Sequence, residues 1–308
     1  MPRLRRLGVL AALPTLVAGT VIALSTSPAH AALPTVDMQK LVLAATLDPA
    51  RADSTHTAGA TASVTVVERA LANLGYLSRS AVDGYWGLST TAAWGRWERH
   101  LGENTVWTNN GLPGLDELQK LAPNRFTLTH AYSVGARVKF TSGRRAADGP
   151  VILNQRTINM LNAAERIHGQ PDVALYQGSY CGLVSGDCAG PSYGTHRGGG
   201  TIDVDVRSFP ESSAAFARDL ASVGFAAWYR STANPHHIHA VAINDYQMPW
   251  AEYGVDHKAP STITTSSDGT GGNCQILSWR FGGSGYACST YLTAPSSGFR
   301  SLVIWENR

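Results

Sequence analysis

The sequence predicts an α+β protein, a small antiparallel sheet with helices on one side, preceded by a small helical bundle. Three patterns predict it. Ile202 to Val206 alternates, setting Asp203 and Asp205 on one face and Ile202, Val204 and Val206 on the other. Val64, Val67, Leu71 and Leu74 recur at helical spacing and stop at Gly75, a natural residue for the turn after a helix. Ser212 to Val223 repeats the helical pattern, with Phe216, Leu220 and Val223 on its inner side.

The elements follow in order. Arg3, Arg5 and Arg6 precede a nearly unbroken apolar run from Leu7 to Leu24, and Ala29-His30-Ala31 has the small-x-small form of a cleavage site. Residues 1–31 are therefore expected to be a signal peptide, leaving a secreted protein with no membrane-spanning helix. Residues 32 to about 60 are rich in Ala, Thr and Ser and show little periodicity apart from a short apolar run, Leu41 to Leu47. The helix that starts at Val64 is followed by a turn at Val82-Asp83-Gly84. A second helix is expected from Ser89 or Thr90, with Trp94, Trp97 and Leu101 on one stripe. Gly111 to Gly114 and Ala122-Pro123 read as linker, so a helical domain is expected over 32–122 and a second domain over 123–260.

Within that second domain, Gln155 to His168 carries Ile158, Leu161 and Ala164 on one side of a helix. Val173 to Tyr176 reads as a buried strand leading into Gln177-Gly178-Ser179, and Ala240 to Ile243 continues a strand that begins at His237 and His239. Residues 261–308 comprise a Ser/Gly-rich linker and a small C-terminal appendage. A net charge of +3, some of it in the leader, excludes the clustered basic footprint of a nucleic-acid-binding protein. The four cysteines, Cys181, Cys188, Cys274 and Cys288, form two local pairs that suit disulfides in an exported chain, although four cysteines allow three connectivities. Neither pair has the C-x-x-C spacing usual for zinc.

The residues with chemistry converge on two segments, GTHRGGGTIDVDV and NPHHIHAVAI. His196 and Asp203, seven apart, and His239 supply the three protein ligands of a catalytic zinc site. His237 stands two residues before His239, so on a strand it shares that face and lies where a proton acceptor is useful. Gly198, Gly199 and Gly200 would let the backbone approach the metal closely. Asp205 is expected to support the site rather than bind metal, and His236 to point away. Gln177 and Ser179 are candidates for binding substrate amides or a carboxylate, or for capping their loop.

Two resemblances sharpen this reading. VVERALANLGYLSRSAVDGYWGLSTTAAWGRWERHL resembles the three-helix peptidoglycan-binding repeat in its L-x-x-L-G-Y, V-D-G, W-G and T-x-x-A-W elements. It departs from it at Glu68 and Trp97-Glu98, where Gln and Phe-Gln are usual, and any binding surface is expected at the Tyr85-Trp86 turn. The segment 125–250, with H-x-x-G-x-x-x-D and H-x-H, resembles secreted actinobacterial zinc peptidases of the D-alanyl-D-alanine peptidase and murein endopeptidase group, which are M15-like. That resemblance implies Zn2+ on His196, Asp203 and His239, with His237 as base or charge stabiliser. Many members of the D-alanyl-D-alanine branch carry a Glu just upstream of the last His, which is absent here, so the H-x-H members are the better analogues. The implied protein is a secreted, wall-associated monomer that hydrolyses a peptidoglycan stem-peptide or cross-bridge bond. The alternative is a wall-binding protein with no catalysis.

Overall fold

The computed structural model describes residues 32–50, 56–105, 107–184, 196–208, 213–230, 235–242 and 244–248. The expected signal peptide and the 261–308 linker and appendage lie outside them. Among the described residues, no helix is long and apolar enough to cross a membrane. The fold is mixed α/β, with small sheets and six α-helices.

The chain enters through a short strand, β1 (Thr35–Asp37), and helix α1 (Met38–Leu47), whose first turn is capped by the Asp37 carboxylate accepting from Lys40 N. The sequence assigned no helix here, and the reason is physical. Leu41, Val42, Leu43, Ala44 and Ala45 are all buried, so five consecutive apolar residues face the core and leave no helical period to read. Helix α2 (Thr61–Asn73) follows, with Val64, Val67 and Leu71 in the core as expected. The chain reverses at Gly75, whose φ of +82° is left-handed. Leu74 turns outward.

Helix α3 (Leu88–His100) begins at Gly87 and not at a Ser or Thr cap. Trp94 and Trp97 are buried, as the stripe requires, and Trp94 Nε1 donates to Leu112 O. The stretch read as linker instead contains helix α4 (Leu115–Leu121), with Leu118 and Leu121 in the core. Its flanking glycine and proline residues punctuate a helix, not a tether. Strand β2 (Thr127–Thr129) then pairs in parallel with β1 and closes this half of the molecule.

The second half starts with a two-stranded antiparallel pair, β3 (Arg137–Phe140) and β4 (Val151–Asn154). Helix α5 (Gln155–His168) has the bounds the sequence gives it. Asn154 Oδ1 caps it by accepting from Thr157 N, and Gly169, at φ +80°, ends it. Then come β5 (Leu175–Gln177), β6 (Thr201–Asp205), α6 (Ser213–Ser222), β7 (Phe225–Arg230) and β8 (His237–Ala242). The four strands form one antiparallel sheet in the order β5-β6-β8-β7.

This sheet has two different faces. Ile202, Val204, Ile238, Ala240, Phe225 and Ala227 pack in one core with residues of α5 and α6, including Leu161, Phe216 and Leu220. The opposite face carries Asp203, Asp205, His237 and His239. The helical half does not have a core to itself, because Val241 of β8 and Met248 belong to the same apolar cluster as α1 to α4. The two halves fall in a single compact unit.

Candidate metal centre

The register of the central strands builds the site. In an antiparallel pair, directly opposed residues share a face, and Asp203 stands opposite His239. Gln177 stands opposite Asp203 on the other side and His237 opposite Asp205. One face thus collects Gln177, Asp203, His239 and His237. His196 reaches the same place from the loop before β6.

His196, Asp203 and His239 are 0, 5 and 1% exposed. Each offers an atom to one group in which all three atoms lie within 4.8 Å of one another. His196 Nε2 is 3.3 Å from Asp203 Oδ2. Ligands about 2.0–2.1 Å from a tetrahedral zinc lie about 3.3–3.4 Å apart, so this edge already has the required length. His239 Nδ1 is 2.6 Å from Asp203 Oδ1, a hydrogen bond whose hydrogen a cation would replace.

Protonation favours a cation. Burial alone would raise the Asp203 carboxyl, yet the His196 and His239 imidazoles hold it well below the usual carboxylate range. Burial, helped by the positive charge of Arg230, pushes His239 down to about 3. The group therefore holds one carboxylate and at least one neutral imidazole, the donor set of a borderline divalent ion.

Outer hydrogen bonds fix the ring orientations. His196 Nδ1 lies 2.8 Å from Gly178 O, and a carbonyl only accepts, so Nδ1 carries the hydrogen and Nε2 presents its lone pair to the cluster. That Nε2 is buried and makes no hydrogen bond. His237 repeats the device: Nδ1 donates to Pro235 O at 2.8 Å, leaving Nε2 as a lone pair 3.8 Å from Asp203 Oδ1. The His237 side chain is 13% exposed against 0 to 8% for His196, Asp203 and His239, the least buried of the four, although its Nε2 is itself buried and makes no hydrogen bond.

Other sequence-predicted residues fall into place around this group. Ser179 is 1% exposed, and its hydroxyl donates to Thr201 O and accepts from Thr201 N. It closes a loop and presents nothing to a substrate. Gln177 is half-buried on the ligand face. Asp205 is held by Arg207 through Nε and Nη2, with the guanidinium over the Tyr176 ring. Among the other histidines, His236 is exposed and packs edge-on to Tyr229, His168 bonds Asp219, and His130 bonds Asp37. Arg145 is committed to Glu165 and Asn162. Cys181 is buried and is not a free thiol; Cys188, Cys274 and Cys288 lie outside the described residues, and both expected pairings with them.

At the turn of the helical half, Tyr85 is half-buried and Trp86 packs inward. Trp86 is fully buried against Trp94, with ring centroids 5.8 Å apart, and the Tyr85 hydroxyl donates to Asp48 O. Glu68, at the first departure from the repeat, accepts from Asp83 N, Gly84 N and Thr90 Oγ1, so its carboxyl holds the V-D-G turn.

The glycines before β6 have a role the sequence did not disclose. A Cβ on Gly199 would fall 2.7 Å from both Asp245 Oδ1 and the Tyr180 hydroxyl, and Gly200 has φ +84°. They admit a buried cluster of Asn154, Tyr180, Asp245 and Gln247 beside the ligand loop, and not the metal. Sequence reasoning missed that cluster and the two orienting carbonyls. Main-chain acceptors leave no residue signature, and the four side chains come from three separate segments.

No protein-family model, curated protein or solved structure matches this chain.

Proposed function

We propose that the protein is a secreted zinc-dependent peptidase of the bacterial cell wall, hydrolysing a peptide bond of the peptidoglycan stem peptide or cross-bridge. The observation that carries this reading is the buried His196, Asp203 and His239 group with the His237 Nε2 lone pair beside it. A structural zinc site closes its fourth position with a protein ligand, whereas a hydrolytic site leaves it open. Zinc bound there would supply Lewis acidity toward a peptide carbonyl and make water acidic enough to attack near neutral pH.

The chain's own residues supply the rest. His237 takes the proton released on attack at Nε2, its tautomer set by Pro235 O, and can return it to the departing amine. Asp203 compensates the positive charge at the centre, and His196 is held in line by Gly178 O. Gln177, opposite Asp203, is placed to bond a substrate amide at the edge of the site. Peptidoglycan as the substrate rests on the two sequence resemblances and on the leader-like N-terminus. On the same grounds the protein is proposed to act as a monomer at the wall, and Cys181–Cys188 is proposed to staple the loop before His196.

The test is incubation of the purified protein with defined muropeptides, read by mass spectrometry, with and without chelator. Cleavage that chelator abolishes and zinc restores is expected, and the mass of the products names the bond. Zinc-loaded protein that leaves every muropeptide intact would sink the peptidase reading. The wall-binding alternative would then be judged by sedimentation with insoluble peptidoglycan.

A further inference from the structure

The loop between α3 and α4 belongs to the helical half, yet it grips the sheet half at two points. Asn110 is 1% exposed, and its Nδ2 donates to Tyr246 O and, at 2.7 Å, to Met248 O, while its Oδ1 accepts from Leu112 N. The Trp107 ring lies edge-on to the Tyr180 ring, with centroids 6.0 Å apart, and Arg137 packs over both.

Both grips end on groups that hold the metal-ligand loop. Between the two carbonyls bonded by Asn110 lies Gln247, whose own carbonyl accepts from Gly199 N at 2.8 Å. The Tyr180 hydroxyl donates to Gln247 Oε1, and Tyr180 N donates to Gly198 O at 3.1 Å. At the other end of the loop, Ala242 N donates to Gly200 O. His196 is thus followed by three glycines pinned, in turn, by Tyr180, Gln247 and Ala242. The helical half has a second purchase on the same segment through Asn244, whose Nδ2 donates to Gln39 O of α1.

We propose that the helical half is a built-in support of the metal centre, with Asn110 and Trp107 as positioning residues that hold the 196–200 loop through the 244–248 segment and Tyr180. The half that resembles a detachable wall-binding module is then not a tether, and swapping it for another module would cost metal affinity. This rests on the metal reading of His196, Asp203 and His239, but the loop can also be read without metal.

Full-length Asn110→Ala and Trp107→Ala are compared with Val64→Ala, which loosens the core of the helical half from helix α2. Zinc affinity is measured by competition with a chromophoric chelator, and amide exchange at Gly199 is measured in metal-free protein. Removing an outer support of a metal ligand weakens binding about 10–100-fold, the range expected for both loop variants. Gly199 exchange should rise at least about ten-fold in them. Val64→Ala should lower the unfolding midpoint while leaving zinc affinity and Gly199 exchange at wild-type values. The proposal is overturned if both loop variants keep wild-type zinc affinity and Gly199 protection, or if Val64→Ala changes both as much as they do. Should wild type bind no zinc, the metal reading fails, and faster Gly199 exchange in Asn110→Ala alone would still uphold the support. If Asn110→Ala does not fold, Trp107→Ala, at a half-buried position, decides the matter by the same two readouts.

Discussion

Glu68, Glu98 and Glu117 in the helical half and Asp203 in the sheet half are all buried carboxyl groups, and their surroundings drive them in opposite directions. Burial pushes Glu68 up to about 7, Glu117 up to about 8 beside Glu103, and Glu98 well above its usual value. Asp203 is buried as deeply, but two imidazoles keep it ionised. The partners decide the balance: around Glu68 and Glu98 the hydrogen-bond donors only partly offset burial, whereas a pair of imidazoles around a carboxylate makes a place for positive charge. Depth of burial alone would not distinguish a structural acid from a ligand.

Removing the charged member of the cluster should have the largest effect on that contrast. In Asp203→Asn the carboxylate is gone and the two imidazoles face an amide, so zinc content by atomic absorption should fall to background and activity with it. Retention of stoichiometric zinc would show that His196 and His239 suffice, and the comparison with the helical acids would lose its basis. Next in size is His237→Ala. The side chain lies beside the group and not in it, so zinc should stay bound while turnover of a muropeptide falls about 10²–10⁴-fold, the usual range for a lost general base. A parallel loss of zinc would make His237 a ligand.

A third change strains the link between the halves without removing any ionisable group. Gly199→Ala places a methyl group 2.7 Å from Asp245 Oδ1 and the Tyr180 hydroxyl, in a buried cluster with no space to yield. Overpacking of this kind costs about 1–3 kcal/mol. A lowered urea midpoint together with weakened zinc binding is the expected outcome; unchanged values for both would mean that the loop relaxes freely.

Much of the sheet half was legible from the residues. The strict alternation in Ile202 to Val206 gave β6 because one face is packed by α5 and α6 and the other carries the ligands. The i, i+2 relation put His237 beside the cluster. The helical half was less legible where burial erased the pattern: α1 buries five consecutive apolar residues, Leu41 to Ala45, and α4 lies inside a glycine- and proline-flanked stretch. Trp86 is aromatic and sits in a turn, which suggests a binding surface, but its ring closes the core against Trp94. What no sequence pattern carried was the cross-links, such as Asn110 to Met248, which join residues far apart in the chain through main-chain oxygens.

The smallest predicted effect isolates the helical acids. Glu68 in the folded protein titrates near 7 against an unfolded value of 4.5, so its contribution to stability is fully present below about pH 4.5 and is lost as pH rises through about 7. Asp203 and His239 act in the reverse sense in metal-free protein, because both are depressed on folding and stability falls as acid protonates them. Glu68→Gln supplies a side chain that is neutral at every pH and keeps one carbonyl oxygen for the Asp83 and Gly84 amides. Near pH 4, where Glu68 is largely protonated in the folded and the unfolded protein alike, the variant and the wild type should unfold at nearly the same urea concentration. Between pH 4.5 and 8.5 the variant should lose less stability than wild type, by up to about 1–2 kcal/mol at the upper end, with the acid limb below pH 4 unchanged because it belongs to the other half. Identical alkaline limbs would show that Glu68 is ionised in the folded protein, held as a charged acceptor by the turn it closes.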